Sequence, residues 1–327
     1  MSTTAIPIDP PNGSLQPGRN LTDTLVLITS MTLLTALAAF LILGWAGLIV
    51  AVLAVGFIAF AAPMMPPAVI LRLYRATPID AKNGRDLYRI LHELTARSGL
   101  DRVPALHVVP SLTLNAFSTG SPETAAIAIT EGLLRKLSLR QIAGVLGHEL
   151  AHIRNNDLRL MALADALNRA MQVLSWAGLG LILYYVPIYL AGDTRIPWVA
   201  MALLFLAPTA STRLQLALSR AREYQADADA IQLTGDPSGL ASALHLIDRQ
   251  NGRWWEDLVF PNTRQTPNPS VLRSHPQTAS RIARLREMGA PAGQTPLAFG
   301  PEAPRISLVG VGPVEMRPRY RLPGVWF

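Results

Sequence analysis

Cysteine is absent from the 327 residues, which removes disulfides and every thiolate metal ligand. Charge is scarce as well. Only 16% of residues are Asp, Glu, Lys or Arg, whereas half are hydrophobic and the mean hydropathy is positive. That balance excludes an ordinary soluble protein. Lysine occurs only at positions 82 and 136, so arginine supplies nearly all of the positive charge. The formal net charge of +7 comes with no nucleic-acid-binding motif, and its arginines flank apolar runs. Contact with anionic lipid explains the charge better than contact with nucleic acid.

The apolar residues are concentrated in runs. Leu25 to Leu43 and Trp45 to Ala62 are uncharged stretches joined only by Gly44, each near the length needed to cross about 30 Å of hydrocarbon. Val173 to Leu190 and Ile196 to Ala210 form a second pair, separated by a short loop with one charge of each sign; the last run is short and contains Pro208. A polar lead with proline and glycine precedes the first run and a second run follows at once, which argues against a cleaved signal peptide. Arg72, Arg75, Lys82, Arg85 and Arg89 follow the second run, and Arg213, Arg220 and Arg222 follow the fourth. The positive-inside rule then puts both termini, and the polar segments between the pairs, on the cytoplasmic side.

Between the pairs, Lys82 to Gly99 reads as an amphipathic helix with Leu87, Ile90, Leu91 and Leu94 on one stripe. Ala105–Val109, Leu114–Ser118 and Ala126–Thr130 read as short strands. Ser138 and Gln141 have the form of a capping box at the head of a proline-free stretch reaching Asn156. From His152 the chain can run as one helix into the third apolar run. From the fourth run it can continue as a helix to Glu223. Ser238–Arg249 reads as another amphipathic helix, Gly252 to Ser274 as a loop, and Pro276 to Met288 as a last helix. The fold class expected is mostly α with a small β-sheet (α+β). Its units are a disordered lead over 1–24, an apolar hairpin over 25–62, a first part of a cytoplasmic domain over 63–172, a second apolar pair over 173–211, a second part of that domain over 212–288 and a Pro/Gly-rich tail over 289–327.

Gly147-His148-Glu149-Leu150-Ala151-His152 carries the chemistry. Residues four apart share a helix face, so His148 and His152 can bind one zinc ion, with Glu149 beside them to take a proton from a water at the metal. A catalytic zinc keeps three protein ligands and one open position. Glu223 offers the third. Asp227, four residues on and on the same face, can accept the second ring N–H of a ligand histidine and fix its orientation. His92, His107 and His245 have no partner at metal-ligand spacing and are read as structural.

HELAH followed by SRAREYQAD resembles the HtpX-like membrane zinc metalloproteases, relatives of the CAAX prenyl proteases. The likeness covers most of the chain up to Arg286. Asn115-Ala116-Phe117-Ser118-Thr119-Gly120 resembles the edge strand of that family, where Asn115 and Ala116 would bind the substrate backbone. Ile129-Thr130-Glu131-Gly132-Leu133-Leu134 resembles the strand end before the metal helices. Ser274-His275-Pro276 with Ser280-Arg281-Ile282 resembles the late His-Pro segment, although His275-Pro276-Gln277 stands where the family usually has His-Pro-Pro. His275 is a candidate for stabilising the transition state. The resemblance implies a zincin-like core on a bundle of about four transmembrane helices, with one Zn2+ per chain. It implies an endopeptidase that cleaves membrane or misfolded polypeptides, and the basic residues put its site at the cytoplasmic face of what is expected to be a bacterial inner membrane. The rival reading is a catalytically silent scaffold stabilised by zinc. A transporter is disfavoured by the uncharged cores of the runs.

Overall fold

The computed structural model describes residues 17–61, 66–80, 82, 84–190, 192, 198–251, 278–289, 295–298, 320–322 and 325–326. Most of these residues are helical, with a small mixed sheet at one end.

Helix α1 (Pro17–Ala61) has one non-helical residue, Gly44, at φ 60° and ψ −140°. Only glycine adopts that conformation without strain. Past it the chain folds back: a Cβ built on Gly47 would sit 2.2 Å from the carbonyl oxygen of Ala39, and Val55 packs in one cluster with Leu27, Ile28 and Met31. The two apolar runs joined at Gly44 are therefore the limbs of a helical hairpin. Two more long helices pack against it, α6 (Asp157–Leu190) and α7 (Trp198–Thr234). Their shared interior includes Met31, Ala164, Leu167 and Leu218, then Ala38, Met171, Leu204 and Ala207. Among the described residues two helical stretches are long and apolar enough to cross a membrane, Thr22–Phe57 and Met201–Thr234. The bundle exposes large apolar side chains, among them Leu33, Trp45, Phe57, Trp176 and Phe205. Apolar patches of that kind mark a membrane or interaction surface.

The polar parts of the chain fold into a second layer. Strands β1 (Thr77–Pro78), β2 (Ala105–Val109), β3 (Ala116–Thr119) and β4 (Ala126–Thr130) form a sheet in the order β1-β2-β4-β3, parallel between β2 and β4 and antiparallel elsewhere. The two-residue alternation is sharp. Leu106, Val108, Ile127 and Ile129 face the main core, made with α3 (Arg85–Ser98) and α5 (Leu139–Arg154). On the other face Val109, Ala126 and Ala128 meet Leu71 of the short helix α2 (Pro67–Leu73). Gly99 closes α3 in the left-handed conformation, as a C-terminal glycine does. Helix α4 (Glu131–Lys136) is capped by the side chain of Thr130.

Helix α5 starts with the full capping box of Ser138 and Gln141. It packs closely on α8 (Pro237–Asn251), because a Cβ on Gly144 would lie 2.9 Å from the backbone of Leu240. Helix α9 (Thr278–Glu287) sends Ile282 and Leu285 into a cluster with Ala230 and Ile231 of α7 and Leu240 of α8. Helix α7 thus runs from the apolar bundle into the soluble core without a break.

The expectation of one helix from His152 into the third apolar run is overturned. Helix α5 ends at Arg154, and Asn156 adopts φ 56°, a left-handed turn that asparagine tolerates better than most residues. Asp157 then opens α6 as a separate helix. Strand β3 begins two residues later than Leu114, since the Asn115 N–H is held by the Thr130 hydroxyl at 3.0 Å rather than by a ladder partner. Thr295 and Leu297 bond to Arg97 and Thr234, and β5 (Tyr320–Leu322) pairs with β6 (Val325–Trp326). The expected 252–274 loop and His275 lie outside the described residues.

Candidate metal centre

His148 and His152 sit one turn apart on the buried face of α5, and Glu223 of α7 closes on them from the other side. One ligand atom from each lies within 4.8 Å of the other two. The imidazoles turn the same nitrogen inward: His148 Nε2 and His152 Nε2 are 3.1 Å apart. Glu223 Oε2 is 3.4 Å from the first and Oε1 is 3.6 Å from the second. Tetrahedral bonds of zinc length place neighbouring ligand atoms about 3.3 Å apart, so three donors at these separations fit one such ion. Two neutral-nitrogen donors and a carboxylate are also a donor set that zinc favours.

Each outward ring nitrogen has its own carboxylate. His148 Nδ1 is 3.1 Å from Asp227 Oδ1, and His152 Nδ1 is 2.7 Å from Asp157 Oδ2. Each carboxylate in turn has an arginine. Arg281 of α9 donates from Nε and Nη2 to the two oxygens of Asp227 at 2.7 and 2.6 Å, and its Nη1 lies 2.7 Å from Glu223 Oε2. Arg222 of α7 donates from Nε to Asp157 Oδ1 at 2.6 Å. Arg281 is only 2% exposed, so its charge is balanced by these buried acids and not by water.

Burial alone would lower the His152 imidazole. Hydrogen bonds to Asp157 and Glu223, together with their charges, overcome it and raise the group to about 10. His148 is pushed the same way against its burial by Asp227 and Glu223. A pocket with this many carboxylates around two imidazoles favours a bound cation.

Glu149 is buried beside the histidines on α5, close enough for its charge to act on Arg281. Strand β3 is the last in the sheet order, and it lies against α5. The Asn115 carbonyl accepts from the Thr130 N–H at 3.0 Å and its N–H donates to the Thr130 hydroxyl, so the main chain of Asn115 faces inward. Antiparallel alternation then turns the main-chain groups of Ala116 and Ser118 towards the free edge. His92 and His245 are exposed, and His107 lies in β2, where burial lowers its pKa; none joins the metal group.

Spacing along the sequence assigns Asp157, Arg222 and Arg281 no role at the site. Asp157 lies five residues after His152, off the helical spacing that flags a partner, and reaches it only through the turn at Asn156. Arg281 belongs to a segment noted for its resemblance alone.

The model of peptidase family M48 matches residues 81–289. Protease HtpX of Legionella pneumophila (strain Lens) is 34% identical over 281 residues, covering 81% of this chain and 98% of that protein. The Protease HtpX homolog of Paraburkholderia phytofirmans is 32% identical over 285 residues, 82% of this chain and 97% of the relative. That of Desulforapulum autotrophicum is 34% identical over 283 residues, 80% and 88% respectively. Among solved structures, the crystal structure of S. mikatae Ste24p matches with a TM-score of 0.46 and 22% identity, over 82% of this chain and 65% of that one. The resemblance carried by HELAH and SRAREYQAD is borne out, and the chain belongs to peptidase family M48, the metalloproteases that include HtpX.

Proposed function

We propose that this chain is a membrane-embedded, zinc-dependent endopeptidase that hydrolyses peptide bonds of membrane or misfolded proteins at a cytoplasmic-side active site, in protein quality control. The observation that carries the reading is the convergence of His148, His152 and Glu223, from two helices far apart in sequence, at separations suited to one tetrahedral ion. These three residues hold the ion, one per chain. When bound, it supplies Lewis acidity towards a scissile carbonyl and a water molecule. Glu149 takes the proton of the attacking water and delivers it to the leaving amine. Asp227 and Arg281 keep His148 and Glu223 in place. Ala116 offers its outward N–H and carbonyl to an extended substrate, which adds to β3 as a further strand; this contact reads main chain and not side chains, and suits broad specificity. Asn115 sets the start of that strand, and His275 is the candidate donor to the developing oxyanion.

The hairpin limbs of α1, the later part of α6 and the start of α7 make up the four-helix membrane unit, and the zincin-like core is built on the polar continuations of α6 and α7. The exposed apolar side chains of the bundle support this, as do the arginines that follow α1 and the apolar part of α7. Purified chain is expected to carry one zinc and to degrade unfolded casein. Glu223→Ala is expected to lose both. Retention of the full zinc content by a folded Glu223→Ala protein contradicts the ligand set.

A further inference from the structure

We propose that Asp157 is a positioning residue for the metal centre, which sets the orientation of His152, and that Arg222 holds Asp157 in place. The proposal rests on the zinc reading of His148, His152 and Glu223. Its basis is the division of labour between the two oxygens of one carboxylate. Asp157 Oδ2 lies 2.7 Å from His152 Nδ1, and Oδ1 takes the Arg222 Nε at 2.6 Å. The Asp157 side chain is 3% exposed, so neither contact is shared with bulk water. An imidazole whose Nδ1–H is fixed in this way has only one tautomer and one ring angle, with the Nε2 lone pair aimed at Glu223 and His148.

Local structure explains how a residue five positions on can reach back. Helix α5 stops at Arg154, and the left-handed turn at Asn156 redirects the chain so that Asp157, the first residue of α6, meets His152 in the last turn of α5. Neighbouring contacts hold this corner. Asn155 Nδ2 donates to Asp229 Oδ2 of α7 at 2.7 Å, and Arg154 Nη2 lies 2.7 Å from the same oxygen. Asp157 therefore joins three helices at one point: α5 through His152, α6 through its own backbone and α7 through Arg222. A shift of α6 against α7 is felt at His152 through this single carboxylate. The arrangement repeats that of His148, Asp227 and Arg281, but with its arginine on α7 and not on the late helix α9.

The test uses the full chain in detergent and measures zinc affinity by competition with a chromogenic chelator, alongside the melting temperature of the zinc-free protein. Asp157→Asn keeps the shape of the side chain but cannot accept from both partners as a carboxylate does. It is expected to bind zinc about 10–100-fold more weakly than the wild type. Arg222→Lys keeps a cation near Asp157 and is expected to weaken zinc by a smaller factor, and Arg222→Met by a larger one. A residue that only staples helices lowers the melting temperature and leaves zinc affinity unchanged. Zinc affinity within twofold of wild type in folded Asp157→Asn overturns the proposal. Should Asp157→Asn fail to melt cooperatively, unchanged zinc affinity in both Arg222 variants overturns it instead. Failure of the wild type itself to bind zinc overturns the site reading, a result distinct from either.

Discussion

Replacing Arg281 by methionine removes a buried cation that faces both Glu223 and Asp227. The guanidinium makes three contacts of 2.6 to 2.7 Å with two carboxylates whose side chains are 6% and 5% exposed. Methionine fills similar space but leaves two anions in a site with little water. Breaking a buried pair from one side costs about 3–5 kcal/mol, mostly the desolvation of the stranded charge. At about 2–4 °C per kcal/mol, the melting temperature of zinc-free Arg281→Met falls by roughly 6–20 °C. Zinc narrows the deficit, because the ion brings its own positive charge to Glu223. Arg281→Lys recovers only part of the loss, since an ammonium cannot span two acids with a planar fork. The double variant Arg281→Met with Asp227→Asn loses less than the two single changes added together. Thermal melting of chelator-treated and zinc-loaded protein in detergent reads all of these. An Arg281→Met chain that melts within 1–2 °C of wild type in both states refutes the assignment of Arg281 as counter-ion.

Ala116→Pro removes an N–H directed to the free edge of β3, where proline is tolerated; the chain should fold and bind zinc normally, while KM for an unfolded substrate rises several-fold. Unchanged KM contradicts strand addition at this edge. Asp236 accepts from Arg140, Ser238 Oγ and the Gly239 N–H at the head of α8. Burial works to raise its carboxyl, but those bonds and the charge of Arg140 bring it down to about 2. Because the folded value is depressed, this contribution is complete above the ordinary carboxylate range, near pH 4, and is lost as pH falls through about 2. Arg140 is 55% exposed, so solvent screening reduces the effect to about 1 kcal/mol. Asp236→Asn should destabilise the chain by that amount at neutral pH, and the gap to wild type should close towards pH 2 in melting experiments.

Much of the site's placement was legible because local rules decide it. Ser138 and Gln141 start α5 where a capping box should, which puts His148 and His152 on one face. Glu223 and Asp227 share a face of α7 for the same reason of spacing. Strands β2 and β4 follow their β-branched, alternating residues to the ends expected of them. What escaped was tertiary. The break after Arg154 has a local sign in Asn155-Asn156, but the contact of Asn155 with Asp229 across the interface is announced by no spacing along the chain. Arg281 is buried only because Ile282 and Leu285 dock α9 onto α7 and α8. A surface helix with the same sequence would leave that arginine in water. Strand β1 has two residues, one of them Pro78, and only its pairing with Val108 and His107 makes it a strand.

The most direct measurement compares purified wild type with Glu149→Gln for zinc content and for cleavage of unfolded casein. A proton-accepting role for Glu149 predicts one zinc per chain in both proteins, with proteolysis confined to the wild type, because the substitution spares His148, His152 and Glu223 and removes only the proton acceptor. Casein cleavage by Glu149→Gln at the wild-type rate contradicts it.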